Sequence, residues 1–214
     1  MERYRVLWPP SGDEGLFLDR TDFEPVRIAP TGHDPRVEDL RPGYLVEASL
    51  HWTDEEVTVD SADDRPTIDS EDDRPTVDSV SVVRPTLYAF ADGAEPMFEA
   101  ATETWERARR TGDGMASRTT KNTDGEVNGV LYTFAESTES DRFEEFRHGR
   151  RPIDPLLDRI DESQEPAPRE AFVLRPASGE FVAVTIALRK GGRFADTIRD
   201  TYDLPRPSEP LVEA

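Results

Sequence analysis

The residues best suited to chemistry in this chain are its basic ones, because the composition makes them the exception. Asp and Glu number 46 against 26 Lys and Arg, a formal net charge of −20, and the only lysines are Lys121 and Lys190. Between Trp105 and Arg151, nine basic residues meet nine acidic ones, so this stretch is neutral and the rest of the chain carries the whole excess. Within it, Arg118, Lys121, Asn122, Asn128 and Tyr132 crowd a segment with the pattern of a hairpin, and Arg147, Arg150 and Arg151 follow at the end of a helical one. Guanidinium forks, amides and a phenol suit an anion, a nucleotide or a segment of RNA. In strong salt, binding that depends on counterion release is weakened, so such a surface must work through directed hydrogen bonds and aromatic stacking. Tyr132 and Tyr88 are the stacking candidates, and Lys190 is a further cation for the same patch. A competing explanation covers the helix-end arginines, which stabilise the free carbonyls and the dipole of a last turn.

Other chemistries lack their residues. There is no cysteine, which removes disulfides, thiol nucleophiles and thiolate metal sites. None of His33, His51 and His148 sits beside a serine in a nucleophile elbow, and no phosphate-binding or dinucleotide glycine motif occurs. Glu144 and His148 stand four apart, a spacing that could share a metal, but such a pair arises readily by chance. The Asp residues of the repeat described below lack the spacing of a calcium loop. Carboxylates are too abundant for a catalytic pair to be singled out. No catalytic residue, metal or cofactor is assigned, and the reading leans away from an enzyme.

The elements that would hold these residues fall into two parts. Residues 1–92 read as short strands at Tyr4–Trp8, Leu16–Arg20, Pro25–Ala29, Tyr44–Trp52, Glu56–Val59 and Val77–Tyr88, with a Pro42-Gly43 turn and a period of two after it. Strands without a helix predict a small antiparallel β-barrel, loosely like an OB fold. Within this part a nine-residue unit is copied in tandem, TVDSADDRP then TIDSEDDRP, before TVDSVSVVRP. The copies, at about 58–77, read as an acidic insertion in a hairpin, too poor in apolar residues to bury a face.

Residues 93–204 change period and read as an α+β domain. A helix is predicted over 95–110, with Phe98, Ala101, Trp105 and Ala108 on one stripe, then strands at Met115–Lys121 and Val127–Ala135 about Asp124-Gly125. Helices near Ser140–His148 and from Asp154, a hairpin of Ala171–Arg175 with Glu180–Arg189, and a helix over 192–203 complete it. Two hairpins each followed by an Arg-Phe helix suggest an antiparallel sheet of two ββα units with helices on one face. Residues 205–214 read as a flexible tail.

An acid excess with almost no lysine, on a chain with ten Phe, five Tyr and three Trp, points to a folded protein built for multimolar salt. With no apolar segment of spanning or signal length, a soluble cytoplasmic protein with no membrane contact is expected. RPGYLVEASLHW, TLYAFADG, the 124–132 stretch DGEVNGVLY, FEEFRHGRRPIDPLLDRI, FVLRPASGEFVAV and DTIRDTYDLP together resemble an uncharacterised haloarchaeal protein family, a domain of unknown function. The resemblance runs along nearly the whole chain except the repeat and implies no activity. The expected role is a non-enzymatic binding or adaptor protein, contacting RNA, a ribonucleoprotein or another anionic partner through residues 118–151. The alternatives are a small-molecule enzyme or sensor with its pocket on the 115–134 hairpin, and a protein-interaction module.

Overall fold

The computed structural model describes residues 1–10, 15–34, 36–52, 74–137 and 139–206. Ten strands and four helices are assigned among them. The first sheet holds β1 (Glu2–Trp8), β2 (Gly15–Asp19), β3 (Pro25–Ile28), β4 (Leu45–His51) and β5 (Thr76–Arg84) in the order β3-β2-β1-β4-β5, all antiparallel. The second holds β6 (Leu87–Ala94), β7 (Met115–Lys121), β8 (Val127–Ala135), β9 (Glu170–Pro176) and β10 (Phe181–Ala187) in the order β6-β9-β10-β8-β7. The helices are α1 (Glu99–Thr111), α2 (Arg142–Arg147), α3 (Asp154–Asp161) and α4 (Arg193–Thr201).

The sequence patterns explain most of these bounds. Gly112 closes α1 in the left-handed conformation, and the Asp141 side chain caps α2 by accepting from the Glu144 N–H. Phe172–Leu174 and Phe181–Ala187 are buried without interruption, the mark of strands covered on both faces. One face of the second sheet packs on α1 and α4 through Trp105, Phe181, Phe172 and Ile198. Its other face packs on α2 and α3, which also receive Leu7, Leu16 and Leu18 from the first sheet. The far side of the first sheet is covered by Val37, Leu40 and Tyr44. Helices α2 and α3 thus lie in the seam between the sheets.

Three expectations change. Among the described residues the first sheet is open and no closed barrel is present, although its edges approach where the Ala29 N–H donates to Pro75 O at 3.0 Å. The single strand expected over 77–88 is two, because Pro85 has no N–H to extend a ladder; β6 leaves for the second sheet and pairs there in parallel with β9. The second sheet is therefore mixed and five-stranded, and its helices lie on both faces, because β9 and β10 have apolar side chains on both sides to bury. The expected strand at Glu56–Val59, the acidic repeat up to residue 73 and most of the expected tail lie outside the described residues; Arg74 and Pro75 end the second copy, and Thr76 and Val77 begin β5.

Candidate anion-binding cleft

The expected site residues fall in two places. Arg118, on edge strand β7, donates to Glu103 of α1 at 2.9 Å, on the side of the second sheet that carries that helix. Asn122 organises its own turn: its Oδ1 accepts from the N–H groups of Asp124 and Glu126, and its Nδ2 donates to Glu126. Asn128 accepts from Thr120, and Lys121 is exposed at the end of β7. Tyr132 is a buried core residue, and burial raises the pKa of its hydroxyl. Arg147, which ends α2, and Arg150 and Arg151, in the turn after it, lie instead in the seam between the sheets. Arg151 pairs with Glu145 at 3.1 Å, while Arg147 lies 3.5 Å from Glu144.

That turn is held against the first sheet by a close approach. Gly149 has φ +74°, and a Cβ there would lie 2.5 Å from the Leu7 Cδ1. The backbone thus passes close over the side chains of Leu7 and Leu18, with His148 and Arg150 flanking the glycine in sequence. Trp8, at the end of β1, fastens the same turn by donating from Nε1 to Arg147 O at 3.2 Å. The Arg147 guanidinium lies 5.0 Å from the Trp8 ring centroid, and Phe90 stacks on Trp8 at 6.2 Å.

Beside this turn is a cavity of about 350 Å³ lined by Trp8, Gly15, Leu16, Pro25, Arg27, Arg74, His148 and Arg150. Arg27 comes from β3, Arg74 from just before β5, and His148 and Arg150 from the turn. Among the described residues no carboxylate lines the cavity, and none of Arg27, Arg74 and Arg150 makes an ion pair. The arginines buried in or near the core are matched to acids: Arg5 to Asp154, Arg169 to Asp161, Arg175 to Asp92 and Arg199 to Glu170. What sets the cavity apart is convergence: three guanidiniums line one space with no acid among its described lining residues, in a protein of charge −20. Their forks match the oxygens of phosphate or carboxylate.

Sequence reasoning found Arg147 and Arg150 through their scarcity. It missed Trp8, Arg27 and Arg74, which are distant in sequence and meet only because β1, β3 and the start of β5 converge on the α2–α3 turn. Among the described residues, no group of three or more His, Asp or Glu could hold a metal ion, and no helix is long and apolar enough to cross a membrane.

A family profile matches residues 1–66 and 64–207. The chain belongs to a family of unknown function (DUF6663). The two matches meet at residues 64–66, inside the tandem repeat, so both sheets, all four helices and the cleft between them lie within segments that the family profile matches. Neither a curated protein nor a solved structure matches the chain.

Proposed function

We propose that this protein is a non-enzymatic binding module for an anionic, phosphate-bearing partner, working in multimolar salt and holding that partner in the cleft beside Trp8. The observation that carries the reading is the convergence of Arg27, Arg74 and Arg150 on one cavity without a carboxylate among the described residues. Leaving three cations unpaired on a strongly acidic protein costs attraction that ordinary surface pairing would regain, and a bound anion regains it. Directed guanidinium forks also suit the habitat read from the composition, because they depend less on diffuse charge than a lysine surface does. The 115–134 hairpin, the alternative location, has its Arg118, Asn122 and Asn128 engaged within the protein.

The test is calorimetric titration of the full chain with inorganic pyrophosphate in molar KCl. Binding at one site is expected, weakened about tenfold or more by Arg27→Ser with Arg150→Ser, the range for charged hydrogen bonds. The Arg118→Ser, Lys121→Ser variant should bind as the parent does. Absence of binding, or loss only in the Arg118, Lys121 variant, removes the cleft as the site.

A further inference from the structure

A second cavity, also of about 350 Å³, is lined by Trp8 as well. Its walls differ in kind from those of the first. Pro42, Leu87, Phe90, Phe143, Leu204 and Pro205 are among its lining residues, and its charged groups are already engaged. Asp92 is held by Arg175 at 2.6 Å, and that hydrogen bond keeps its carboxyl below the usual carboxylate range. Arg199 is buried against Glu170 at 2.6 Å, and the Arg41 guanidinium donates to the carbonyls of Glu38 and Leu40. Trp8 lines both cavities. The run Arg147 to Arg150 also spans them, with Arg147 in the apolar chamber and His148 and Arg150 in the cationic one. Trp8 and this run thus set the two chambers side by side.

We infer that the cleft binds a nucleoside phosphate, with the phosphate on Arg27, Arg74 and Arg150 and the base in the apolar chamber bounded by Trp8, Phe90 and Leu204. The inference rests on the anion-binding reading above and names the ligand that such a site takes. Charge complementarity selects the orientation, since only one chamber offers unmatched cations. Three guanidiniums suit the several oxygens of a phosphate better than a single carboxylate, which one fork would satisfy. The apolar chamber is walled by flat groups (Trp8, Phe90, Phe143) and the planar guanidinium of Arg147, whose Nε is buried without an acceptor. Such walls fit a heterocycle carrying hydrogen-bond acceptors. Free nucleotides and single-stranded RNA share this chemistry.

Titrations of the full chain with pyrophosphate, ribose 5-phosphate, AMP, tetra-adenylate RNA and dodecyl phosphate test it. AMP should bind about tenfold or more tightly than ribose 5-phosphate, the contribution of one stacked base. Leu204→Asp should remove that gain while leaving pyrophosphate binding intact, which also shows that the variant is folded. Should Leu204→Asp not fold, the ratio of AMP to ribose 5-phosphate affinity in the unaltered protein decides alone. Tetra-adenylate binding more tightly than AMP assigns the source as RNA, and the reverse order assigns a free nucleotide; both support the inference. AMP no tighter than ribose 5-phosphate overturns it and leaves the anion-binding reading standing, provided pyrophosphate binds. Dodecyl phosphate tighter than AMP also overturns it, by assigning the apolar chamber to an alkyl chain. Failure of every probe, pyrophosphate included, sinks the anion-binding reading itself.

Discussion

Arg5 donates twice to one oxygen of Asp154, from Nε at 2.9 Å and from Nη2 at 2.7 Å, and this pair joins the first sheet to the helical seam. Both side chains are fully buried, at 2% and 0% exposed. Arg20 Nη1 lies 3.1 Å from the same carboxylate oxygen, and the Tyr88 hydroxyl approaches the other at 3.4 Å. Burial keeps Tyr88 protonated by raising its pKa well above the ordinary value, so it acts as a donor to Asp154. One carboxylate thus answers β1, the end of β2 and β6.

Removing that carboxylate strands a buried guanidinium. Asp154→Ala should cost about 3–5 kcal/mol in urea unfolding at constant KCl, the range for breaking a buried pair from one side. Arg5→Met combined with Asp154→Leu should recover most of the loss, because both desolvation costs vanish together. A double variant no more stable than Asp154→Ala would show that the pair itself is required.

The strands and helices were legible because their signals are local. Met115–Lys121 and Val127–Ala135 flank an Asp-Gly turn and fall at the bounds the pattern gives. The fate of Leu87–Ala94 was not legible, since a parallel pairing with β9 is set by residues more than eighty positions away. For the same reason nothing local to β1 marks Arg5 as half of a buried pair, since its partner Asp154 comes from α3. The cleft was half legible: Arg147 and Arg150 stand out by type, whereas Trp8, Arg27 and Arg74 become a group only in three dimensions.

At the near-closing edge of the first sheet, His33 makes stability depend on pH. Its Nδ1 accepts the Val77 N–H at 3.1 Å, and the Asp34 N–H donates back to Val77 O at 3.1 Å. That bond requires a neutral Nδ1. Burial holds the imidazole below its usual value, against an opposing backbone contact with Ala29. The unfolded chain therefore takes up a proton first as pH falls below about 6.5. This contribution is complete above that value and is lost on acidification toward the lowered native one. Between pH 7 and 5.5, the melting temperature of the parent should fall by about 2 °C more than that of His33→Ala. Equal slopes would show that the proton is not linked to folding through His33.

Gly43 marks where the two sheets touch, and a methyl group there should be costly. Its φ is +95°, and a Cβ would lie 2.5 Å from Tyr88 N and 2.6 Å from Leu87 C, both backbone atoms of β6. The adjacent Pro42 carbonyl accepts the Tyr88 N–H at 2.8 Å, so neither strand can retreat without breaking the junction. Gly125 has a similar φ of +83° with nothing within 4 Å. Gly125→Ala should therefore cost only about 1 kcal/mol, the penalty of the left-handed backbone. Gly43→Ala should exceed it by about 2 kcal/mol or more, as overpacking against fixed atoms does. Equal losses in parallel urea titrations would mean that β6 yields to the methyl group.

Salt should stabilise this protein over a range in which ordinary proteins change little. A net charge of −20 repels itself at low ionic strength, and molar KCl shortens the screening length to about 3 Å, below the spacing of most surface charges. The buried pairs Arg5–Asp154 and Arg199–Glu170 lie out of reach of bulk ions and keep their strength as the repulsion is screened. Exposed pairs such as Arg3–Glu47 weaken, but each contributes about 1 kcal/mol or less. The repulsive sum outweighs them, so the melting temperature should climb steadily with KCl from submolar to multimolar concentration. Glu106→Lys with Glu162→Lys, two exposed reversals, should raise stability at low salt and flatten the climb. A melting temperature that stays level or falls with KCl would separate the acid excess from salt adaptation and leave it needing another cause.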